Sequence, residues 1–329
     1  MDHLHQRLVT VFGGSGFVGT QVVQTLARRG YRVRVAVRRP DLAGHLKPLG
    51  AVGQIQPIQA NVRNMASIQR AVAGADFVIN LVGIGYEGGK QRFGVVHVEG
   101  AAAVARAAKA AGATSLVHMS ALGADAQSES NYASSKGAGE AAVMEAFPQA
   151  IIMRPSIVFG RGDGFFNLMG TLARWLPVMP LIGGQSNFQP AYVGDVAEAF
   201  VLAAESKVKT GRTYELGGPE VLTHKALLEL VLRETLRTRP LFAMPTWMAN
   251  IVAFKFSLLP FPPLLTADQI KLLAHDNKVS DEARSQKRTF AAFGIAPTSM
   301  ETILPSYMWR FRRNGQFDRP EERQNSLAE

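Results

Sequence analysis

The chain has 329 residues, and with 47% hydrophobic and 19% charged residues it is globular rather than disordered, with room for one large domain or two moderate ones. It contains no cysteine, which excludes disulfides, thiolate metal sites and cysteine nucleophiles, and we predict no metal site. The net charge is +10, but no groove-reading motif accompanies it, so we predict no nucleic-acid partner.

The first predicted strand, Leu8–Phe12, runs directly into the sequence GGSGFVG and then into a helix over about Val18–Arg29. In this GxxGxxG spacing Gly13 permits a tight turn, Gly16 lets a pyrophosphate approach the backbone, and Gly19 allows the helix to pack closely on the strand. The helix N-terminus attracts phosphate through its unpaired N–H groups and its dipole. A strand, a glycine turn and a helix in this order predict a dinucleotide-binding site.

The second predicted strand, Tyr31–Val37, ends in Arg38 and Arg39. In NAD-binding sites an acidic residue at this place hydrogen-bonds the ribose, whereas an arginine accommodates the extra phosphate of NADP. The two arginines therefore favour NADPH over NADH; the alternative is that they lie on a solvated edge. Residues 1–60 hold eight Lys/Arg against two Asp/Glu, so much of the cationic excess surrounds this site.

Further strands alternate with helices through the first half of the chain. The predicted strands are Ile55–Ala60, Asp76–Val82, Ser115–Ser120 and one that begins at Ile151, and the predicted helices are Met65–Val72, His97–Ala111 and Asn131–Ala146. This alternation predicts the α/β class, with a doubly wound parallel (Rossmann) sheet and the cofactor across the carboxyl ends of its strands.

Glycine-rich and proline-flanked loops follow residue 159 and predict a change of domain. We predict a dinucleotide-binding domain over 1–159, with its sheet completed by 188–219. A smaller C-terminal substrate-type domain is predicted over 160–187 and 220–308, and a tail over 309–329. The sheet is expected to resume at Ala191–Val193. The polar residues from Asp318 onward are expected to be disordered.

Three residues predict chemistry beside the cofactor: Ser120, Tyr132 and Lys136. Tyr132 and Lys136 are four apart on a predicted helix and so share a face, while Ser120 ends a strand at the cofactor edge. A tyrosine hydroxyl becomes a usable acid or base in hydride transfer when a neighbouring ammonium favours the phenolate. In this interpretation Ser120 orients the substrate oxygen, and Lys136 also holds the nicotinamide ribose.

Together these motifs resemble the short-chain dehydrogenase/reductase superfamily in its extended or atypical branch. The resemblance rests on GGSGFVG, NLVG at 80–83, Ser120, YASSK at 132–136 and RPSIVFG at 154–160. Four further stretches, RVAVRRPDLAG, FPQAIIMRPSIVFG, FQPAYVGDVAEA and WRFRRNGQFD, are similar to bacterial relatives of the NADPH-binding accessory subunit (alpha-subcomplex subunit nine) of respiratory complex I. That resemblance implies an NADPH-binding protein with a structural or stabilising role, and related members are linked to ubiquinone synthesis.

The resemblance also implies which residues contact the cofactor. They would be Gly13, Ser15, Gly16, Phe17, Val18, Gly19, Arg38, Arg39, Asn61, Val62, Leu81, Val82, Gly83, Tyr132, Lys136, Pro155 and Ile157. One position departs from the pattern, because His97 stands where extended members usually carry asparagine. His97 is either a proton relay or, as we favour, a histidine that packs a helix.

Two segments outside the cofactor motifs suggest contact with a partner. Thr246–Leu259 is strongly apolar with one charge; it is too short to span a bilayer, and is either a core helix or one that lies on a membrane or lines a lipid or quinone cleft. Tyr307–Arg313, if extended, has an aromatic face and a largely basic one. Such a segment either docks on a membrane or partner or pins the C-terminus to its domain.

We therefore expect an NADPH-binding accessory or stabilising factor of the complex I and ubiquinone system, at a respiratory-complex or membrane-surface partner. An alternative is an active NADPH-dependent oxidoreductase, or an epimerase/dehydratase-like enzyme, acting on a hydrophobic carbonyl, quinone-pathway or lipid molecule. A third hypothesis is a redox-sensing regulator. The polar N-terminus and the absence of a 20-residue apolar run predict no signal peptide or transmembrane span and a cytoplasmic location, peripheral on the inner face of the membrane if a partner lies there.

Overall fold

The computed structural model describes residues 7–258 and 263–318. The strands are β1 (Leu8–Phe12), β2 (Arg32–Val37), β3 (Ile55–Gln59), β4 (Phe77–Asn80), β5 (Ser115–Met119), β6 (Ile151–Pro155), β7 (Val158–Phe159), β8 (Met179–Leu181), β9 (Asn187–Phe188), β10 (Ala191–Tyr192), β11 (Arg212–Leu216), β12 (Leu222–Thr223) and β13 (Leu241–Ala243). The α-helices are α1 (Phe17–Arg28), α2 (Met65–Val72), α3 (Gly100–Ala110), α4 (Asn131–Ala146), α5 (Phe165–Trp175), α6 (Val193–Ala204), α7 (His224–Glu234), α8 (Thr246–Ser257), α9 (Ala267–Leu273), α10 (Asp281–Ser285), α11 (Met300–Ile303) and α12 (Pro305–Met308). A π-helical turn covers Gly94–Glu99, and 3-10 segments cover Pro40–Leu49, Phe290–Phe293, Trp309–Phe311 and Gly315–Phe317.

The chain folds into two compact units. Of the described residues, the first unit takes 7–156, 193–217 and 279–296, and the second takes 157–192, 218–258, 263–278 and 297–318. The first unit contains the seven-stranded sheet, in the order β3-β2-β1-β4-β5-β6-β11, with every pairing parallel. The predicted α/β doubly wound sheet is confirmed.

The sheet reverses its winding direction at β1, which pairs with β2 on one side and with β4 on the other. Such a switch point opens a crevice at the carboxyl ends of the strands, where dinucleotides bind in this class of fold. Helices α2 and α3 cover one face with small and β-branched side chains, among them Ala71, Val104 and Ala108, which are fully buried. Alanines on α3 let the helix lie close to the sheet.

Two predictions about the chain's path are wrong. Ala191–Tyr192 does form a strand, but β10 pairs with β7 in a separate two-stranded sheet, so β11 alone completes the large sheet. Residues 279–296, expected in the C-terminal domain, belong to the first unit. They are held there by β11, because Glu215 donates its N–H to the Arg288 carbonyl and accepts the Ser280 N–H at its carboxylate.

The second unit is organised around an aromatic and aliphatic cluster. Its buried members include Phe159, Phe166, Phe188, Leu227, Leu304, Tyr307, Met308 and Phe311. Tyr307–Arg313, which would have an aromatic and a basic face if it were extended, is helical as far as Phe311, and Tyr307 and Phe311 lie inside this cluster. Of the two alternatives for this segment, the structure supports anchoring of the C-terminal region. The prediction of a disordered tail begins at Asp318, which is described and accepts the Asn314 N–H at its carboxylate, and its remaining residues, 319–329, lie outside the described residues.

Helix α8 differs from a core helix. Its two buried residues are small, Ala249 and Ala253, which pack with Ile182 and Ile270. Its larger apolar side chains are mostly exposed. No helix in the described ranges is long and apolar enough to cross a membrane.

Candidate functional site

The glycine turn after β1 contains glycines with two different roles. A Cβ on Gly13 would lie 3.2 Å from the Leu81 carbonyl carbon, at a φ of +76° that favours glycine, and a Cβ on Gly19 would lie 2.3 Å from the Gly13 oxygen. These two glycines are required by the protein's own packing. A Cβ on Gly16 would meet only the Gly13 oxygen at 3.4 Å, an ordinary contact, and Gly16 has an unstrained φ of −78°. The space beside exposed Gly16 is therefore open to a ligand.

Helix α1 begins at this opening without a side-chain cap, and its first turn carries no acidic residue. A 12-residue helix in this state presents backbone N–H groups and the positive end of its dipole. Phe17 is half-buried and Val18 is buried, so the backbone rather than large side chains borders the turn. This cradle fits a pyrophosphate, as expected for Gly13, Ser15 and Gly16.

Arg38 and Arg39 follow β2 at the same edge of the sheet, and both are exposed. Arg39 forms an ion pair of 2.6 Å with Asp41, whereas no described residue pairs with Arg38. Other arginines of the cationic N-terminal part are engaged elsewhere. Arg29 pairs with Glu205 on the loop after α6, and Arg34 donates to backbone carbonyls at the end of α2.

The ends of β3 and β4 place more of the predicted cofactor residues at this edge. Asn61 follows β3 and is fixed by Ser67, whose hydroxyl accepts the Asn61 N–H, while Val62 packs against the α3 side of the core. After β4, the Val82 N–H is held by the Asn80 side chain, and the backbone of Leu81 forms the wall that Gly13 approaches. Val82 is half-buried, and Gly83 is exposed.

The structure brings the predicted catalytic residues to the end of β5. Lys136 on α4 donates from Nζ to the Met119 carbonyl at 3.1 Å, beside Ser120, and lies 5.9 Å from the centre of the Tyr132 ring. A Cβ on Gly83 would lie 3.2 Å from the same Nζ atom, so Gly83 borders the Lys136 ammonium closely. The Ser120 hydroxyl is buried and has no hydrogen-bond partner among the described residues. A buried hydroxyl of this kind is suited to a ligand oxygen.

Burial sets the protonation of this group. It raises the pKa of the Tyr132 hydroxyl to about 12. It also lowers the pKa of the Lys136 ammonium to about 8, with the Glu140 carboxylate opposing that change. Burial therefore favours the protonated phenol in this arrangement, and a phenolate favoured by Lys136 stays a prediction for the cofactor-bound site. A protonated phenol can donate to a carbonyl oxygen that is being reduced.

His97 is an internal part of this site. Its Nε2 accepts the Ile84 N–H at 3.0 Å, so a neutral ring carries its proton on Nδ1 and donates it to the Ser135 hydroxyl at 2.8 Å. Ser135 in turn donates to the Tyr132 carbonyl. Burial and the nearby Lys136 ammonium lower the pKa of His97 to about 3. Both ring nitrogens are used, which supports the packing role over a proton relay.

Sequence reasoning missed two neighbours of the catalytic residues. Phe93 stacks on the His97 ring at 5.2 Å and meets the Tyr132 ring edge-on at 5.9 Å. Ser135 connects His97 to α4, as described above. Ser135 is part of the YASSK motif, so its position was visible in the sequence. Its hydrogen-bond partner, His97, is 38 residues away, and only the fold shows that the two side chains meet.

The last two predicted cofactor residues fall in different units. Pro155 ends β6 in the first unit and is buried. Ile157 belongs to the second unit and packs against its aromatic cluster. Among the residues that the structure describes, no group of three His, Asp or Glu side chains is placed to hold a metal.

Residues 9–217 match the NAD dependent epimerase/dehydratase family. The chain is 35% identical over 323 residues to the mitochondrial NADH dehydrogenase (ubiquinone) 1 alpha subcomplex subunit 9 of Arabidopsis thaliana, covering 94% of this chain and 79% of that protein. It is 34% identical over 201 residues to a ceramide reductase of Caulobacter vibrioides, covering 61% and 62%. An NADPH-dependent quinone oxidoreductase of Escherichia coli complexed with NADPH shares the fold at a TM-score of 0.68 and 18% identity, covering 91% of this chain and 97% of that chain.

The chain therefore belongs to the NAD dependent epimerase/dehydratase family, the extended short-chain dehydrogenase/reductases. Within it, the chain is similar over most of its length to the subunit 9 proteins of complex I from a plant and from mouse. The predicted resemblance is confirmed at both levels. Nicotinamide dinucleotides are the cofactor class of this family, and solved structures that share the fold include complexes with NAD and with NADPH.

Proposed function

We propose that this protein binds NADPH and acts as an accessory or stabilising factor of the respiratory complex I and ubiquinone system. The observation that carries the proposal is the open space beside Gly16 at the uncapped start of α1, which internal packing does not require. The open space at this glycine turn suits a dinucleotide that stays bound to the protein. Identity of 35% to a complex I subunit over 94% of the chain supports the respiratory partner.

NADP rather than NAD is proposed from the end of β2. The strand ends without an acidic residue that could bind a ribose 2′-hydroxyl, and Arg38 is exposed with no ion-pair partner in the described part of the chain. Its guanidinium is free to bind a 2′-phosphate. Arg39 contributes less in this proposal, because Asp41 already holds it.

The protein's residues have separate tasks in this site. NADPH, when bound, supplies a hydride. The backbone at Gly16 and the start of α1 bind the pyrophosphate, and Lys136 holds the nicotinamide ribose. Ser120 orients a ligand oxygen, and Tyr132 holds a proton for it.

A second candidate function is reduction of a hydrophobic carbonyl, quinone-pathway or lipid substrate. It is favoured by the buried Ser120 hydroxyl, which has no hydrogen-bond partner among the described residues, and by the Tyr132 hydroxyl, whose proton burial retains. An arrangement used only to hold a cofactor would not need that hydroxyl. The similarity to a ceramide reductase over 201 residues makes a lipid carbonyl one substrate class to test.

The two candidates are separated by what the purified protein holds and does. We expect NADPH to be released on denaturation, at close to one equivalent per chain, and little oxidation of it with aldehydes, ketones, quinones or a ketone-bearing ceramide precursor. Turnover that is abolished in Tyr132→Phe would replace the accessory function with the reductase. A protein that neither retains nor binds any nicotinamide dinucleotide would refute both.

The respiratory partner is tested in the cells that make the protein. We propose a cytoplasmic protein located at the inner face of the respiratory membrane. It should co-fractionate with complex I after mild solubilisation, and its deletion should reduce assembled complex I. Normal complex I levels in the deletion strain would overturn the partner while leaving NADPH binding untouched.

A further inference from the structure

Helix α8 presents its large side chains outward and its small ones inward. The residues that it buries are Ala249 and Ala253. Four large apolar side chains are exposed instead, at fractions of 66%, 49%, 65% and 69% for Trp247, Ile251 and Phe254 on the helix and Leu258 at its C-cap. A core helix buries its large apolar side chains, because their burial is what stabilises it.

These four residues form a single surface, which we call the α8 stripe. Their spacings of four, three and four residues place them within an arc of about 60° at 100° per helical residue. Single exposed hydrophobic residues are common, but a continuous row on one helix is a patch that marks an interaction site. The second unit also exposes Trp175, and Phe242 on the strand that precedes the helix.

The charges in the chain segment that contains the α8 stripe favour a negatively charged partner. Residues 235–267 contain Arg237, Arg239 and Lys255 and no aspartate or glutamate. Lys255 is exposed on α8 itself. The whole chain carries +10, so both the segment and the molecule are attracted to a negative surface. Aromatic side chains combined with cations are typical of helices that lie at a lipid headgroup region.

We propose that the α8 stripe docks the protein on the surface of an anionic lipid bilayer, with the helix lying in the plane of the headgroups. The 12 residues of α8 are sufficient to lie on the surface and insufficient to span it. Trp247 and Phe254 insert their rings below the headgroups, and Lys255 pairs with lipid phosphates. This docking applies equally to an accessory factor and to a reductase, so it does not depend on which proposed function is correct.

The test is binding of the full-length protein to vesicles, measured by co-sedimentation. Vesicles of phosphatidylglycerol with phosphatidylcholine should bind the protein, and those of phosphatidylcholine alone should bind it much less. Raising the salt concentration should weaken binding to the anionic vesicles. Phe254→Ser should reduce the affinity by about tenfold, because one inserted ring is lost.

Phe317→Ser is the matched control, since Phe317 is also an exposed phenylalanine of the second unit, at 78% exposure, and lies outside α8. It should leave vesicle binding unchanged. Equal losses in the two variants would overturn the α8 stripe as the docking surface. Both variants should retain the melting temperature and NADPH binding of the parent protein, which separates a failure of docking from a failure of the cofactor site.

A second measurement follows the stripe directly. The chain has three tryptophans, and a Trp175→Phe/Trp309→Phe variant leaves Trp247 as the single fluorophore. Its emission should shift to the blue with anionic vesicles and be quenched by brominated lipid. No shift would overturn docking of the stripe on a bilayer. A shift that appears without lipid as the protein concentration rises, and that coincides with dimer formation by light scattering, would also overturn it and would show that a second copy of the chain covers the stripe.

Discussion

Arg38 and Arg39 are adjacent in sequence but differ in their surroundings, since only Arg39 has an ion-pair partner in the described chain, Asp41. We predict that Arg38→Ala weakens NADPH binding by about tenfold or more, because a charge-assisted contact to the 2′-phosphate is lost. NADH binding should change little. Titration calorimetry with both cofactors measures the difference.

Arg39→Ala is the control for that experiment. It removes the same charge from the same loop, but from a side chain already engaged with Asp41, so the loss of NADPH affinity should be smaller. Equal weakening of NADPH and NADH by Arg38→Ala would mean that Arg38 does not contact the phosphate that distinguishes them.

Burial of Lys136 has a cost to the stability of the folded protein. Burial lowers its pKa in the folded protein to about 8, from 10.5 when unfolded. Between these values the unfolded state binds more protons, so this group's contribution to stability rises as the pH rises from 8 to 10.5. Below pH 8 the folded protein holds a buried ammonium, at a cost of roughly 3 kcal/mol.

We therefore predict that Lys136→Met raises the melting temperature of the cofactor-free protein at pH 7, while weakening dinucleotide binding. The gain should disappear as the pH approaches 10.5. Lys109→Met, at an exposed position at the end of α3, should show neither effect. A Lys136→Met protein that melts lower than the parent at pH 7 and at pH 10 alike would contradict this account.

At the scale of elements, α4 approaches its neighbour so closely that glycine is required. A Cβ on Gly139 would lie 2.2 Å from the His97 carbonyl oxygen, which is backbone and cannot move aside easily. We predict that Gly139→Ala destabilises the protein by about 1–3 kcal/mol, although glycine to alanine normally favours a helix. It should also weaken NADPH binding, because Tyr132 and Lys136 lie on the same helix.

Gly94→Ala is the comparison. Gly94 begins the π-helical turn that contains His97, and a Cβ there would meet nothing within 4 Å. This substitution should be neutral or stabilising in chemical denaturation. If both alanine variants shift the midpoint in the same direction, the close approach of α4 is not what constrains Gly139.

Elements with strong local signals could be predicted from the sequence. The bounds of β1, α2 and α4 match the predicted Leu8–Phe12, Met65–Val72 and Asn131–Ala146, because buried apolar runs and polar N-caps mark their limits. The helical form of residues 307–311 does not follow from the sequence of that segment alone. Adding Leu304 gives the helical spacing 304, 307, 308 and 311 of buried residues.

In the candidate site too, the sequence identifies some of the residues and only the fold identifies the others. The four-residue spacing of Tyr132 and Lys136 is a local signal, and the structure places the Lys136 ammonium near the Tyr132 ring and on the Met119 carbonyl, which precedes Ser120. The roles of His97 and Ser135 were not available from the sequence, since they depend on a hydrogen bond between separate elements. The raised pKa of Tyr132 likewise follows from its burial, which cannot be read from the amino-acid composition.

At the scale of the whole molecule, the C-terminal region returns to the second unit through a buried contact. Tyr307 donates its hydroxyl to the Asp163 carboxylate at 2.6 Å, across 144 residues of sequence. Burial raises the pKa of Asp163, while this hydrogen bond and backbone N–H groups oppose the rise. The Tyr307 hydroxyl therefore stabilises the folded protein most when the Asp163 carboxylate is charged.

We predict that Tyr307→Phe costs about 1.5–3 kcal/mol at neutral pH. The cost should decrease in acid, because protonation of Asp163 removes the charge that the hydroxyl stabilises. Tyr192→Phe is the control, since Tyr192 packs against the same cluster and its hydroxyl makes no hydrogen bond within the described ranges. A Tyr307→Phe penalty that is independent of pH would indicate lost packing rather than a lost charge contact. Urea denaturation at two pH values provides the measurement.

The division of the chain has a consequence for its synthesis. The chain passes between the two units five times. Six of the seven sheet strands are complete once residue 155 has been made, but β6 lacks its outer neighbour until Arg212–Leu216 emerges from the ribosome. Throughout that interval the nascent protein presents an unpaired edge strand, the feature most prone to pairing with another chain. The need for chaperones should therefore be greatest between the emergence of β6 and the emergence of β11, which covers β6.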